Sequence, residues 1–105
     1  MITKAQDGQE REFLGVAFTL LAVGQQSMVT KMDYRIEHRV PFHSHPNEQS
    51  GYVVSGSYRL RVGGQVEVLG PGDSYSIPAG VEHSIEVLEA GEVVDVFTPP
   101  RQDYL

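Results

Sequence analysis

The sequence predicts an all-β domain, a sandwich or a barrel, and three observations carry that reading. Glycine and proline punctuate the chain at short intervals, from Gly15 and Gly24 through Pro41, Gly51, Gly56, Gly63-Gly64, Gly70-Pro71-Gly72, Pro78, Gly80 and Gly91 to Pro99-Pro100. The segments between them are short and rich in Val, Ile, Tyr and Phe, as in a chain of brief strands joined by turns. No stretch carries the apolar period of a long helix. Strands of usual length would number about eight to ten.

The elements follow in order. Phe13 to Val23 is almost continuously apolar, which reads as a strand covered on both faces or lying in a dimer contact. In Ser57 to Val62 the side chains of Tyr58, Leu60 and Val62 share one face. Gly63-Gly64 then turns the chain into Gln65 to Leu69 as a hairpin. Ser84 to Glu89 alternates with Ile85 and Val87 on the face of His83, and Gly91 leads into Glu92 to Phe97. Gly56 and Gly72 suit tight corners or close backbone approach. Pro78 fixes φ and is expected where a strand begins.

Composition narrows the function. A chain of 105 residues is read as one domain over 1–105, with 40% hydrophobic and 21% charged residues, as in globular proteins. It has no cysteine, so disulfides, thiolate nucleophiles and cysteine-bound zinc are excluded. A formal net charge of −6 disfavours nucleic-acid partners, which call for a basic surface. No apolar run approaches the length of a membrane span, and the polar start MITKAQDGQERE lacks an apolar signal core. A cytoplasmic location is expected.

The chain holds four histidines, and three have spacings that suit a metal. On a strand, residues two apart point the same way, so His43 and His45 would project together. His83 follows the Pro78-x-Gly80 turn, and a third imidazole there brings the donors to the number a metal site needs. Gln49 shares the parity of the two histidines, and Glu48 competes with it if the turn after Pro46 is tight. His38 has no partner spacing and reads as a surface residue. With no cysteine available, any ion is expected to be held by nitrogen and oxygen.

Residues 37 to 87 resemble the cupin superfamily. Its first motif is G-x5-H-x-H-x3,4-E-x6-G; His43, His45 and Gly56 fit it, Gln49 stands in the glutamate place, and Glu37 replaces the first glycine. Its second is G-x5-P-x-G-x2-H-x3-N; Gly72, Pro78, Gly80 and His83 fit, and Val87 replaces the asparagine. The resemblance implies a double-stranded β-helix, or jelly roll, with one divalent metal ion in its mouth. Three imidazoles and an amide suit nickel, zinc, manganese or iron. Because glutamine is neutral where glutamate is not, the ion would keep its full charge, attract anions and act as a stronger Lewis acid.

The C-terminal stretch VVDVFTPPRQDYL is the second informative region. Asp95 and Phe97 share a strand face, and Pro99-Pro100 stiffens the path to Arg101. An acid, an aromatic wall and a guanidinium can then reach one cavity. The plainer reading is a strand-end salt bridge between Asp95 and Arg101 with Phe97 in the core. Asp-x-Phe-x-Pro-Pro-Arg-x-Asp, joined to H-x-H, the glutamine and the later histidine, is similar to the KdgF group of pectin- and alginate-degradation cupins. That similarity implies metal ligation by His43, His45, Gln49 and His83, with Asp95, Phe97 and Arg101 as the active-site set. It further implies an enzyme, a metal-dependent isomerase converting cyclic 4,5-unsaturated uronates to linear keto acids. The partner would be a small anionic sugar acid; separately, the apolar segment Phe13 to Val23 predicts a homodimer through the N-terminal strands. Two alternatives use the same residues: a small metal-dependent oxygenase-type cupin, and a non-catalytic ligand-binding cupin whose metal staples the barrel. The last predicts an Asp95–Arg101 pair and a closed cavity.

Overall fold

A computed structural model describes residues 1–105 and shows ten strands. They are β1 (Gln9–Phe13), β2 (Val16–Val23), β3 (Met28–Tyr34), β4 (Arg39–His43), β5 (Glu48–Val53), β6 (Ser57–Val62), β7 (Gln65–Leu69), β8 (Ser74–Ile77), β9 (His83–Glu89) and β10 (Gly91–Thr98). Short 3-10 turns cover Ala5–Asp7 and Gln102–Tyr104. No helix is long and apolar enough to cross a membrane.

All pairing is antiparallel. One sheet runs β1-β2-β3-β10-β5-β8 and the other β4-β9-β6-β7, together forming a jelly roll. The inner faces follow from alternation: Met28, Met32 and Tyr34 on β3, Tyr58 and Leu60 on β6, Ile85 and Val87 on β9, and Val93 and Phe97 on β10 are all buried. With Val16, Phe18 and Leu20 of β2 they belong to one core cluster.

Inner-facing polar residues interrupt that core. Gln49 begins the inner face of β5, His83 that of β9, and Asp95 precedes Phe97 on β10. Pairing brings them to one end of the roll. His43 lies opposite His83 across β4 and β9, and Phe97 lies opposite Gln49 across β10 and β5. The sheets thus carry imidazoles on one wall and an amide and a carboxylate on the other.

The Gly63-Gly64 hairpin joins β6 to β7 as the sequence indicates, and Gly56 and Gly72 adopt the expected positive φ, of 91° and 92°. Two expectations are corrected. Phe13 to Val23 is not one strand: the Leu14-Gly15 turn divides it, with φ of 50° and 84°. Val16, Phe18 and Leu20 then enter the chain's own core while Ala17 and Val23 stay exposed, so its apolar run needs no cover on both faces. Pro78 follows the end of β8 and does not open a strand. Its carbonyl accepts a hydrogen bond from the Val81 N–H (3.3 Å), and Gly80 supplies φ 76° in that turn.

Candidate metal centre and its cavity

His43 ends β4, His45 lies in the connection to β5, and His83 opens β9. The parity argument for His43 and His45 therefore fails in its premise, since His45 is off the strand and β4 is irregular between Val40 and His43. The convergence holds for another reason. The Gly80 N–H donates to the His45 carbonyl (2.9 Å), binding the loop of the first motif to the turn of the second. Ring centroids lie 4.2 Å apart for His43 and His83, 4.9 Å for His45 and His83, and 5.8 Å for His43 and His45.

Each ring has its tautomer set by the backbone. His43 Nδ1 lies 2.9 Å from the Pro41 carbonyl, His45 Nδ1 2.9 Å from the Asn47 carbonyl, and His83 Nδ1 2.9 Å from the Val81 carbonyl. A carbonyl oxygen only accepts, so Nδ1 is the protonated nitrogen in all three. Burial pushes the His83 pKa down to about 4. Burial, then the Arg101 charge, lowers that of His45. Both are therefore neutral at neutral pH, and their Nε2 atoms offer lone pairs. His83 Nε2 is one of two buried side-chain polar atoms without a hydrogen-bond partner. The three residues present ligand atoms within 4.8 Å of one another. This triad can hold a metal ion, and the orphaned His83 nitrogen is what a missing cation would leave.

Gln49 completes the arrangement. Its Oε1 lies 3.1 Å from His45 Nε2. With His45 Nδ1 carrying the proton, these are two acceptors face to face. Two ligands about 2.1 Å from one metal and at right angles to each other are about 3.0 Å apart, so a cation between them resolves the conflict. Gln49 lines the same cavity as Tyr75 and Asp95, and Oε1 is the amide atom that faces His45. Glu48 is exposed while Gln49 is buried, so the structure places the amide and not the carboxylate beside the triad. His38 is half-buried in the turn before β4, where its Nδ1 accepts from the Arg35 N–H (2.9 Å).

Asp95, Phe97 and Arg101 line the same cavity as His43, Gln49 and His83. Asp95 is 2% exposed and accepts a hydrogen bond from the Tyr75 hydroxyl (2.5 Å). Burial pushes its pKa up to about 6 against the opposing pull of Tyr75, Gln49 and Arg101. Phe97 packs edge-on to His45 at 5.6 Å and to Tyr104 at 5.4 Å, so it is core and cavity wall together. Arg101 does not pair with Asp95. Its Nε and Nη2 donate to the two oxygens of Asp103 (3.1 and 2.7 Å), and Nη1 donates to the Tyr104 hydroxyl (3.0 Å). Its guanidinium also stacks over Tyr104 (4.0 Å) and Phe13 (4.9 Å). The strand-end salt bridge is thus replaced by a local fork, because Asp103 sits two residues away.

The cavity is narrow, about 30 Å³, room for water and not for a sugar. Arg101 also lines a broad depression of about 740 Å³ outside it, with His45, Asn47 and Asp103. Sequence reasoning missed Tyr75, Asn47, Asp103 and Tyr104. Asn47 donates to the Pro99 carbonyl (2.7 Å) and so ties the histidine loop to the tail. The signal for Tyr75 was available: Tyr75 and Ile77 alternate, and an isolated glycine within a strand such as Gly51 marks a close approach.

Comparison with known proteins agrees with this geometry. Residues 31–97 match the cupin domain family. The chain is a cupin. Over 65 residues, 60% of its length, it is 35% identical to the pectin degradation protein KdgF of Dickeya dadantii strain 3937, and the match spans 59% of that relative. A solved RmlC-like cupin from Shewanella frigidimarina superposes with TM-score 0.91 at 26% identity, covering 99% of this chain and 95% of that one. KdgF from Halomonas sp. gives TM-score 0.88 at 24% identity over 98% and 96% of the two chains, a likeness of fold.

If three imidazoles and Gln49 hold one ion, His45→Ala should lose most bound divalent metal after dialysis and melt at a lower temperature. Glu48→Ala should change neither. Full metal occupancy in the His45 variant, by elemental analysis, would overturn the assignment.

Proposed function

We propose that this cupin is a metal-dependent isomerase that opens cyclic 4,5-unsaturated uronates to linear keto acids. One observation carries the reading: a buried carboxylate and a buried guanidinium line one cavity with His43 and His83, two of three imidazoles whose ligand atoms converge. The relative in Dickeya dadantii, a pectin degradation protein, supports a sugar acid as the substrate class.

His43, His45, His83 and Gln49 would hold the divalent ion, whether nickel, zinc, manganese or iron. When bound, it supplies Lewis-acid polarisation of the substrate's oxygens, undiminished by any anionic ligand. Arg101 has five N–H donors and commits three to Asp103 and Tyr104, so two remain for the substrate carboxylate. Asp95 takes the proton from the anomeric hydroxyl. The bond from the anomeric carbon to the ring oxygen then breaks, leaving an aldehyde and an enolate. Protonation of the ring carbon distal to the carboxylate, C4, by the proton Asp95 holds converts the enolate to a ketone. Nothing is oxidised or hydrolysed. A carboxyl with a pKa of about 6 is suited to both accepting and returning a proton near neutral pH. Phe97 forms an apolar wall beside it. A uronate ring exceeds the inner cavity, so it would enter from the broad depression that Arg101 and His45 also line.

The same reading includes a cytoplasmic homodimer. The outer edge of β1 is unpaired and offers the N-terminal strands for association. A monomeric mass by light scattering at working concentration would count against that assembly.

The C4=C5 bond is conjugated with the carboxylate and absorbs ultraviolet light, and ketonisation removes it without oxygen or cofactor turnover. Metal-loaded protein should accelerate the loss of absorbance well beyond the spontaneous rate. Asp95→Asn should keep the metal and lose about 100-fold or more in kcat, and Arg101→Ala should keep the metal and raise KM. A wild-type rate equal to the spontaneous one with each of the four metals defeats the isomerase reading, and oxygen uptake in its place would support the oxygenase alternative.

A further inference from the structure

Gly51 lies mid-strand on β5, an inner-facing position with Tyr75 of β8 opposite on one side and Asp95 of β10 opposite on the other. Glycine inside a strand weakens it relative to alanine, so its presence here needs a local reason. A Cβ at residue 51 would collide with the Tyr75 Cζ and hydroxyl oxygen and lie 2.6 Å from Asp95 Oδ1. The phenol therefore lies flat across the strand, in the space a side chain would fill, to reach Asp95. No residue with a Cβ admits this bond. Its length, 2.5 Å, is that of a hydroxyl donating to a charged oxygen.

We propose that Tyr75 is a positioning residue for Asp95, and that Gly51 is the gap through which it acts. This rests on the isomerase reading above. The Tyr75 hydroxyl holds Oδ1 and fixes the carboxylate plane, so proton exchange with the substrate falls to Oδ2. Gln49 lines the cavity beside Asp95, so the phenol holds the carboxylate at the edge of the proposed ligand set. Tyr75 touches no reacting atom in this scheme. Its effect is on the orientation of Asp95, a contribution expressed in the transition state more than in substrate binding.

The test is a double-mutant cycle on metal-loaded, full-length protein, with Tyr75→Phe, Asp95→Asn and both together. Tyr75→Phe keeps the ring and removes only the donor. It should retain metal, leave KM within about twofold and lower kcat about 10- to 100-fold, the worth of a hydrogen bond to a charged group. In the Asp95→Asn background the same substitution should change kcat little, since its target is gone. A proton NMR resonance far downfield, present in wild type and absent from Tyr75→Phe, should report the short bond whatever the activity. Unchanged kcat in an active Tyr75→Phe enzyme, a mainly KM effect, additive losses in the double variant, or loss of metal in the single one would each overturn the proposal. A wild type without activity would instead defeat the isomerase reading, and the positioning role with it, even where the downfield resonance is present.

Discussion

Three backbone carbonyls, each two residues from the histidine it serves, accept the Nδ1 protons of His43, His45 and His83. That single arrangement fixes what the rest of the site can be. With the protons facing outward to the chain, the Nε2 lone pairs face one another, and a fourth lone pair from Gln49 Oε1 faces them. Four acceptors directed into one space repel unless a cation lies among them. The local backbone thus prepares the donors, and the sheet pairing of His43 with His83 brings the two motifs together.

Charge then explains the layer behind the donors. The four proposed donors carry no charge of their own, so they would leave an ion's charge uncompensated. Asp95 is the one acid that lines the cavity, and Gln49 lines it too, with its amide oxygen toward His45. Arg101 is kept from collapsing onto Asp95 by its own fork with Asp103, which leaves one cation and one anion available on the same wall. A chain that pairs them directly would have a quieter, closed interior.

Much of this was legible in the sequence, because alternation and turn chemistry are local. The β6–β7 hairpin and the inner faces of β9 and β10 follow from residues close in the chain, and the histidine set from two motifs far apart in it. The failures share a cause, which is that their reasons lie across the sheet. Gly51 reads as punctuation until Tyr75 and Asp95 are seen on either side of it. Phe13 to Val23 reads as one strand because Leu14 is apolar, yet its positive φ places it in a turn. The rival reading, an Asp95–Arg101 pair, left out Asp103, which has the shorter path to the same guanidinium. His45 joined the site although it is not on a strand, since the Gly80 N–H fixes its loop from the other motif.

The central claim is that three Nε2 atoms and Gln49 Oε1 hold one divalent ion. Anomalous diffraction from crystals grown with that ion tests it most directly. The account predicts one peak about 2.0–2.3 Å from the Nε2 atoms of His43, His45 and His83 and from Gln49 Oε1, with Glu48 in solvent and an open position toward Asp95 and Arg101. A peak ligated by Glu48, ligation through any Nδ1, or an ion seated away from the triad would contradict it.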